Sequence, residues 1–160
     1  MSERSYQPVG YALYFDDLRQ EINGKYSLMG MYDAVMILYD PVPTTFSSFG
    51  IFVHYQEPRD IAITRKGDII FQVYFPWDEV DRPSITTPFP FEEIAKSAAP
   101  SREEEDLISL VAFHFPIIIK NFVVQKTGFI RVRALLDGEI IRISALEIVH
   151  QPRMDRALAQ

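Results

Sequence analysis

The chain has 160 residues and a mass of 18.5 kDa, a size that fits one globular domain. Its net charge of −6 and pI near 5.0 argue against nucleic acid and anionic membrane as partners, because both require cationic surface. The absence of cysteine excludes disulfides, thiol catalysis and cysteine-ligated metals, and it fits a cytoplasmic location. The N-terminal residues lack a signal-peptide pattern, and no apolar run has the length of a membrane span.

The first third of the chain predicts short strands separated by turns. Residues 1–8 are polar and predict a flexible N-terminus. Asn23-Gly24 is a hairpin-type dipeptide, and Pro41 and Pro43 end an apolar run because proline cannot donate to a ladder. The predicted strands are Gly10–Phe15, Lys25–Tyr32, Ala34–Tyr39 and Phe46–Gln56.

The middle of the chain predicts a hairpin followed by an irregular insertion. Lys66-Gly67-Asp68 lies between two apolar runs, Ile61–Arg65 and Ile69–Phe75, and predicts a turn between two strands. Residues 76–106 then form a proline-rich insertion, with one short helix predicted at Phe91–Ala98. Trp77 and the phenylalanines near it predict either packing of this segment onto the sheet or an exposed binding patch.

The last part of the chain predicts a strand over Leu107–Phe115 and, after a bend at Pro116, either a second strand or a continuation of the first over Ile117–Val124. A long hairpin over Thr127–Val149 follows. Asp137-Gly138 is typical of a type I′ turn, whose two central residues need positive φ. The turn places Leu136 opposite Glu139, Ala134 opposite Ile141, Val132 opposite Ile143, and Ile130 opposite Ala145. This register gives one apolar face and one face rich in arginine. Residues 151–160 predict a polar tail.

These elements predict a single all-β domain over residues 9–150, an antiparallel β-sandwich of about eight or nine strands with one short helix. Its topology is expected to be immunoglobulin-like or a related Greek key. A closed barrel is the alternative, because hairpin-rich sequences also build barrels.

The segment Tyr14–Tyr32 resembles the opening motif of an uncharacterised bacterial and phage-associated domain family. That motif combines an aromatic residue, Asp-Asp, an arginine and a glutamate with a Gly-Lys turn and a strand that ends Gly-apolar-Tyr. The matching residues are Phe15, Asp16, Asp17, Leu18, Arg19, Glu21, Gly24, Lys25, Leu28, Gly30 and Tyr32. The resemblance implies a β-sandwich and implies no activity.

Three carboxylates, Asp16, Asp17 and Glu21, stand close together in the sequence and could supply oxygen ligands to Ca²⁺ or Mg²⁺. Their spacing differs from that of a calcium loop, so turn chemistry, with Arg19 holding a carboxylate, is the favoured interpretation. We predict no bound metal or cofactor. The histidines lack metal-ligand spacing, and His114 is interpreted as a histidine at the edge of the core.

Three arginines, Arg131, Arg133 and Arg142, share the wet face of the closing hairpin, and Arg133 lies opposite Arg142. Like charges that face each other destabilise a strand pair unless something neutralises them. The favoured interpretation is pairing within the chain, with residues 103–106 or with the Asp16-Asp17 turn. The alternative is a site for an anion or an acidic partner.

The same outer face becomes apolar again at Phe129, Leu146 and Ile148 in the regular register. Such a patch favours self-association about a two-fold axis. A β-bulge near Ser144 is the competing hypothesis, because it would return Leu146 and Ile148 to the core.

The sequence therefore predicts a non-catalytic structural or protein-interaction module whose partner is a protein, with a second copy of the chain as one candidate. The alternative function is a hydrolase or small-ligand-binding protein that uses Asp16, Asp17 and Glu21 with a divalent cation. The interaction candidates are Arg131, Arg133, Arg142, Phe129, Leu146, Ile148 and Trp77.

Overall fold

The computed structural model describes residues 8–65, 67–90 and 110–153, and these residues form ten β-strands, one short α-helix and a 3-10 turn at Ile22–Gly24. In chain order the elements are β1 (Val9–Phe15), β2 (Asp17–Gln20), β3 (Tyr26–Met29), β4 (Val35–Leu38), β5 (Thr44–Pro58), α1 (Arg59–Ala62), β6 (Ile69–Tyr74), β7 (Ile85–Phe89), β8 (Leu110–Val124), β9 (Gly128–Leu136) and β10 (Glu139–His150).

The strands form two sheets that pack face to face. One sheet has three strands in the order β1-β5-β8, and the other has five in the order β4-β10-β9-β6-β7. All pairs are antiparallel except that of β4 with β10, which is parallel. The strands β2 and β3 form a separate hairpin. The predicted all-β sandwich is confirmed, and the barrel alternative is wrong because neither sheet closes on itself.

Alternation of apolar side chains explains how the two sheets enclose one core. In β5 the residues Phe49, Ile51, Val53 and Tyr55 are fully buried, and they lie two positions apart, so that all point to one face. The inward residues of β6, β9 and β10 meet them from the other sheet. Phe49 illustrates the contact within the core, since its ring stacks on that of Phe122 at 4.5 Å. The core is therefore built mainly from aromatic and β-branched side chains.

The closing hairpin follows the predicted register from its turn to the pair Arg133–Arg142. Asp137 and Gly138 have φ of 50° and 84°, as a type I′ turn requires. Beyond the pair Arg133–Arg142 the ladder slips by one residue, because Ile143 forms a β-bulge. The next partners of β9 are Val132 with Ser144, Arg131 with Ala145, and Ile130 with Leu146. The predicted pairings of Ile143 and Ala145 are therefore wrong.

The bulge also corrects the predicted outer patch. Leu146 and Ile148 point into the core and are 0% and 1% exposed, because the extra residue reverses the facing of the strand beyond it. Phe129 remains outside, 52% exposed and opposite Glu147. An apolar patch that includes Leu146 and Ile148 does not exist on this face.

One further predicted strand is wrong, and of the two alternatives predicted around Pro116 the structure shows the continuous strand. Residues Ile61–Arg65 form no strand, since the chain enters α1 and a following turn directly after Pro58, and the amide of Ile63 donates to the carbonyl of Arg59 at 3.0 Å. Pro116 produces no break, because β8 runs through it as one strand. An edge strand tolerates proline, since one side of its backbone has no ladder partner.

The proline-rich insertion contributes a strand that sequence analysis did not predict. β7 pairs with β6 at the edge of the five-stranded sheet, and it carries Pro88. Upstream of it, the Asp78 carboxylate accepts hydrogen bonds from the amides of Phe75 and Ser84 at 2.8 and 2.9 Å. Trp77 stacks on Phe75 at 5.1 Å and packs against the core. The predicted helix Phe91–Ala98 lies outside the described residues.

Candidate functional site

The N-terminal carboxylates are engaged in separate local interactions. Asp16 accepts a hydrogen bond from the hydroxyl of Tyr32, and Glu21 accepts one from the hydroxyl of Ser27 at 2.9 Å. Asp17 accepts from the amide that follows it, that of Leu18, at 2.9 Å. Burial, and then the Asp16 carboxylate, raise the pKa of Tyr32. Within residues 8–65, 67–90 and 110–153 no three acidic or histidine side chains converge as metal ligands.

The turn at Asp16 is held by contacts other than the predicted one with Arg19. The predicted role of Arg19 as the partner of a carboxylate is wrong, since Arg19 forms no ion pair with any described residue. The carboxylate of Asp16 instead contacts Gly30, whose φ is +65°, and a Cβ at that position would overlap it. The amide of Tyr32 also donates to the carbonyl of Tyr14 at 2.8 Å. The motif therefore fastens the β2–β3 hairpin to β1.

A buried charge network, which sequence analysis missed, joins β5 to the closing hairpin. Glu57 is 1% exposed and accepts hydrogen bonds at 3.1 and 2.9 Å from Nε of Arg65. The same guanidinium donates to Asp137 at the hairpin turn, at 2.7 Å. Burial raises the pKa of Glu57, while Arg65 and the neighbouring Tyr55 hydroxyl act in the opposite direction. Because a buried carboxylate requires a charged partner, this network has a structural role.

On the outer face of the three-stranded sheet, eleven neighbouring residues include no carboxylate, lysine or arginine; Lys120, the next outward residue of β8, borders them opposite Ser48. We call this group of eleven residues the uncharged face. It consists of Val9, Tyr11, Leu13, Phe52, His54, Gln56, Leu110, Ala112, His114, Pro116 and Ile118. These residues lie opposite one another in rows, for example Tyr11 with His54 and His54 with His114. The β2–β3 hairpin reaches this face where the ring of Tyr26 meets that of Phe52 at 5.7 Å.

Aromatic rings on the uncharged face stack against one another. Tyr11 stacks on His54 with centroids 4.7 Å apart, and Phe52 stacks on His114 at 5.1 Å. The prediction that His114 lies at the edge of the core is wrong, since its side chain is exposed on the outer face. The pairing of His54 with His114 could not be read from spacing, because the two residues are 60 positions apart on different strands.

The three predicted arginines meet on the outer face of the five-stranded sheet. Together with Ile143, Ser144 and Ala145 of the bulge, they line a surface pocket of about 420 Å³, which we call the arginine pocket. Its floor also includes Val132. The guanidinium carbons of Arg131 and Arg133 lie 5.4 and 4.9 Å from the centroid of the Tyr74 ring, which is itself buried.

The predicted pairing of these arginines within the chain is not found in the part that the structure describes. Asp16 and Asp17 have the partners given above, and residues 103–106 lie outside the described ranges. None of Arg131, Arg133 and Arg142 forms an ion pair with a described acidic residue. The arrangement therefore places three positive charges around a pocket on an acidic protein.

Comparison with known proteins identifies no relative: no family model, no curated protein and no solved structure matches this chain. The resemblance of Tyr14–Tyr32 to a phage-associated family stays a prediction. No helix in the described part of the chain has the length and apolar character needed to cross a membrane.

Proposed function

We propose that the protein is a non-catalytic interaction module that binds a second copy of itself through the uncharged face. The observation that supports this proposal is the exposure of apolar side chains over a face with no formal charge. Val9, Tyr11, Leu110 and Ile118 are 52%, 48%, 45% and 39% exposed. Apolar surface of this kind on a sheet is typical of protein contacts.

The stacking of the rings favours a protein partner over a sugar or a nucleobase. Both of those ligands lie flat on an exposed aromatic face. On the uncharged face Tyr11 stacks on His54 and Phe52 stacks on His114, so each of these rings already has one face covered by its neighbour. Rings packed in this way and the exposed aliphatic side chains beside them form a surface that packs well against similar side chains.

The distribution of charge favours contact between two copies of the chain through the uncharged face. The chain carries a net charge of −6, so two copies repel each other over most orientations. A contact between two uncharged faces buries no unpaired carboxylate or ammonium group, and a two-fold axis makes the surface complementary to itself. The face has eleven residues, against roughly 20–30 for each partner of a standard interface, so we expect a weak dimer in the micromolar range.

Sedimentation velocity from micromolar to submillimolar concentration tests the proposal. We expect the wild-type mass to rise above 18.5 kDa as the concentration increases. Ala112→Glu adds a charge to the uncharged face and removes no packing, because Ala112 is exposed, and it should give a monomer throughout. Phe129→Glu is the matched control on the other sheet.

A wild-type mass near 18.5 kDa at every concentration would refute self-association. A monomer produced by Phe129→Glu, with no effect of Ala112→Glu, would move the interface to the five-stranded sheet, where the sequence predicted it. Circular dichroism of both variants shows whether each keeps the sheet. A cytoplasmic location is part of the proposal and is supported by the absence of cysteine.

A further inference from the structure

We infer that the arginine pocket is an anion-binding site whose ligand is a phosphate monoester. This site lies on the five-stranded sheet, on the side of the sandwich opposite to the uncharged face, so the inference does not depend on self-association. Its basis is the convergence of Arg131, Arg133 and Arg142 on one pocket of about 420 Å³.

The repulsion between the arginines calls for an anion. Arg133 and Arg142 lie directly opposite each other across the β9–β10 ladder, and Arg131 is two residues from Arg133 on the same side of β9. Like charges in this cross-strand position destabilise the pair. The acids of the same hairpin, Glu139 and Glu147, form no ion pair with them among the described residues. An anion in the pocket would convert this repulsion into attraction.

Tyr74 holds two of the guanidinium groups in place before any ligand binds. Arg131 and Arg133 both lie over its ring, and Tyr74 is 5% exposed, so its position is fixed by packing. Its hydroxyl also donates to Oε1 of Gln72 at 3.2 Å. A cation–π contact uses the face of a guanidinium and leaves the N–H donors at its edge free for an acceptor. These arginine side chains therefore lose most of their conformational entropy when the protein folds, and little of it when a ligand binds.

The bulge creates the space for the ligand. Because Ile143 is the extra residue, Arg131 lies opposite Ala145, whose small exposed side chain leaves the pocket open on that side. Ile143 itself turns inward and is 7% exposed. A regular ladder would instead place Ser144 opposite Arg131 and Ala145 opposite Ile130.

Charge and size together favour a phosphate monoester over a carboxylate. Three guanidinium groups carry three positive charges, and a phosphate monoester carries roughly −1.5 to −2 at neutral pH, against −1 for a carboxylate. Its three oxygens can accept hydrogen bonds from several guanidinium groups at once, whereas a carboxylate has only two oxygens to do so. The pocket volume of about 420 Å³ also lies within the range of small-molecule sites, roughly 300–1,000 Å³. The remaining space would hold the group that carries the phosphate.

Titration with simple phosphate compounds tests the site. The ligands are inorganic phosphate, glycerol phosphate and a phosphoserine peptide, and acetate, succinate and chloride at matched ionic strength are the controls. Binding is followed by NMR shifts of the backbone amides of Arg131, Arg133 and Ser144. We expect saturable shifts at these amides with glycerol phosphate and only unsaturated, diffuse shifts with chloride.

Substitution of one arginine should remove the binding without harming the fold. Arg142→Gln should weaken the phosphate monoester at least about tenfold, since it removes one charge-assisted interaction. The matched control is Arg153→Gln, because Arg153 also lies over a tyrosine ring, that of Tyr39 at 5.6 Å, but outside the pocket. Without ligand, Arg142→Gln should unfold at the same temperature as the wild type or a higher one, because it relieves the repulsion with Arg133.

The outcomes separate the possible sources of the phosphate. Equal affinity for glycerol phosphate and the peptide indicates that the phosphoryl group alone is recognised, and tighter binding of the peptide identifies a phosphorylated protein as the source. Saturation by acetate as tight as that by glycerol phosphate overturns the phosphate inference. Shifts that never saturate show that the pocket binds no anion. An equal loss of affinity for the phosphate monoester in Arg142→Gln and Arg153→Gln shows the same.

Discussion

Removal of Arg65 should destabilise the protein strongly, because it leaves the Glu57 carboxylate buried without its charged partner. The Glu57 side chain is 0% exposed, and Arg65 contacts both of its oxygens, at 3.1 and 2.9 Å. Breaking a buried ion pair by removal of one partner costs about 3–5 kcal/mol of the free energy of unfolding. Against a typical total of roughly 5–15 kcal/mol, Arg65→Ala is expected to unfold a large share of the molecules under mild denaturation.

The destabilisation should depend on pH. Burial raises the pKa of Glu57 from its ordinary value of 4.5 even though Arg65 lowers it, so the pKa rises further in Arg65→Ala. The folded state then binds a proton more tightly than the unfolded chain. Its stability is highest below the unfolded pKa and decreases as the pH rises through the folded pKa. The cost of Arg65→Ala should therefore be largest near neutral pH and shrink towards pH 4.5.

Urea unfolding at several pH values, followed by the fluorescence of the single tryptophan, Trp77, measures this cost. Arg82→Ala is the control, since the exposed Arg82–Glu79 pair at 3.5 Å should contribute less than about 1 kcal/mol. Glu57→Gln in the Arg65→Ala background should recover part of the loss at pH 7. A loss below about 1 kcal/mol for Arg65→Ala at pH 7, or one that does not change with pH, contradicts the reasoning.

Three further predictions concern the hairpins and the carboxylates. Gly30→Ala should destabilise the protein by about 1–3 kcal/mol in thermal unfolding, because its Cβ would overlap Asp16. Gly24→Ala is the control, since Gly24 has a similar positive φ but lies in open space, and it should cost only about 1 kcal/mol. Equal losses of stability in the two variants would exclude the Asp16 contact. Leu146→Glu should unfold the protein at room temperature, as judged by circular dichroism, because Leu146 is 0% exposed; a folded variant would show that the bulge is absent. Calorimetric titration with Ca²⁺, Mg²⁺ and Mn²⁺ should be flat, since the N-terminal carboxylates have separate partners, and a micromolar isotherm abolished by Asp17→Ala would support the enzyme alternative.

The candidate site was only partly visible in the sequence. The arginines could be placed on one face of a hairpin, because alternation and the Asp137-Gly138 turn are local properties. Their surroundings could not, since Tyr74 comes from a strand about sixty residues earlier in the chain. The uncharged face was missed for the same reason, because its three strands are distant in the sequence and no local pattern indicates which of them are neighbours.

The sequence by itself determined the class of the fold and its closing hairpin. Short-range physics is enough for this: apolar side chains repeat every second residue, and Asp-Gly allows positive φ at the turn. Only the tertiary structure decided which way β10 faces beyond Ile143. The alternation of apolar residues shifts by one position between Ile143 and Leu146, and this shift is present in the sequence. The second sheet turns it into a bulge, because the free energy gained by burying Leu146 and Ile148 against that sheet exceeds the loss from the ladder contacts that a bulge disturbs.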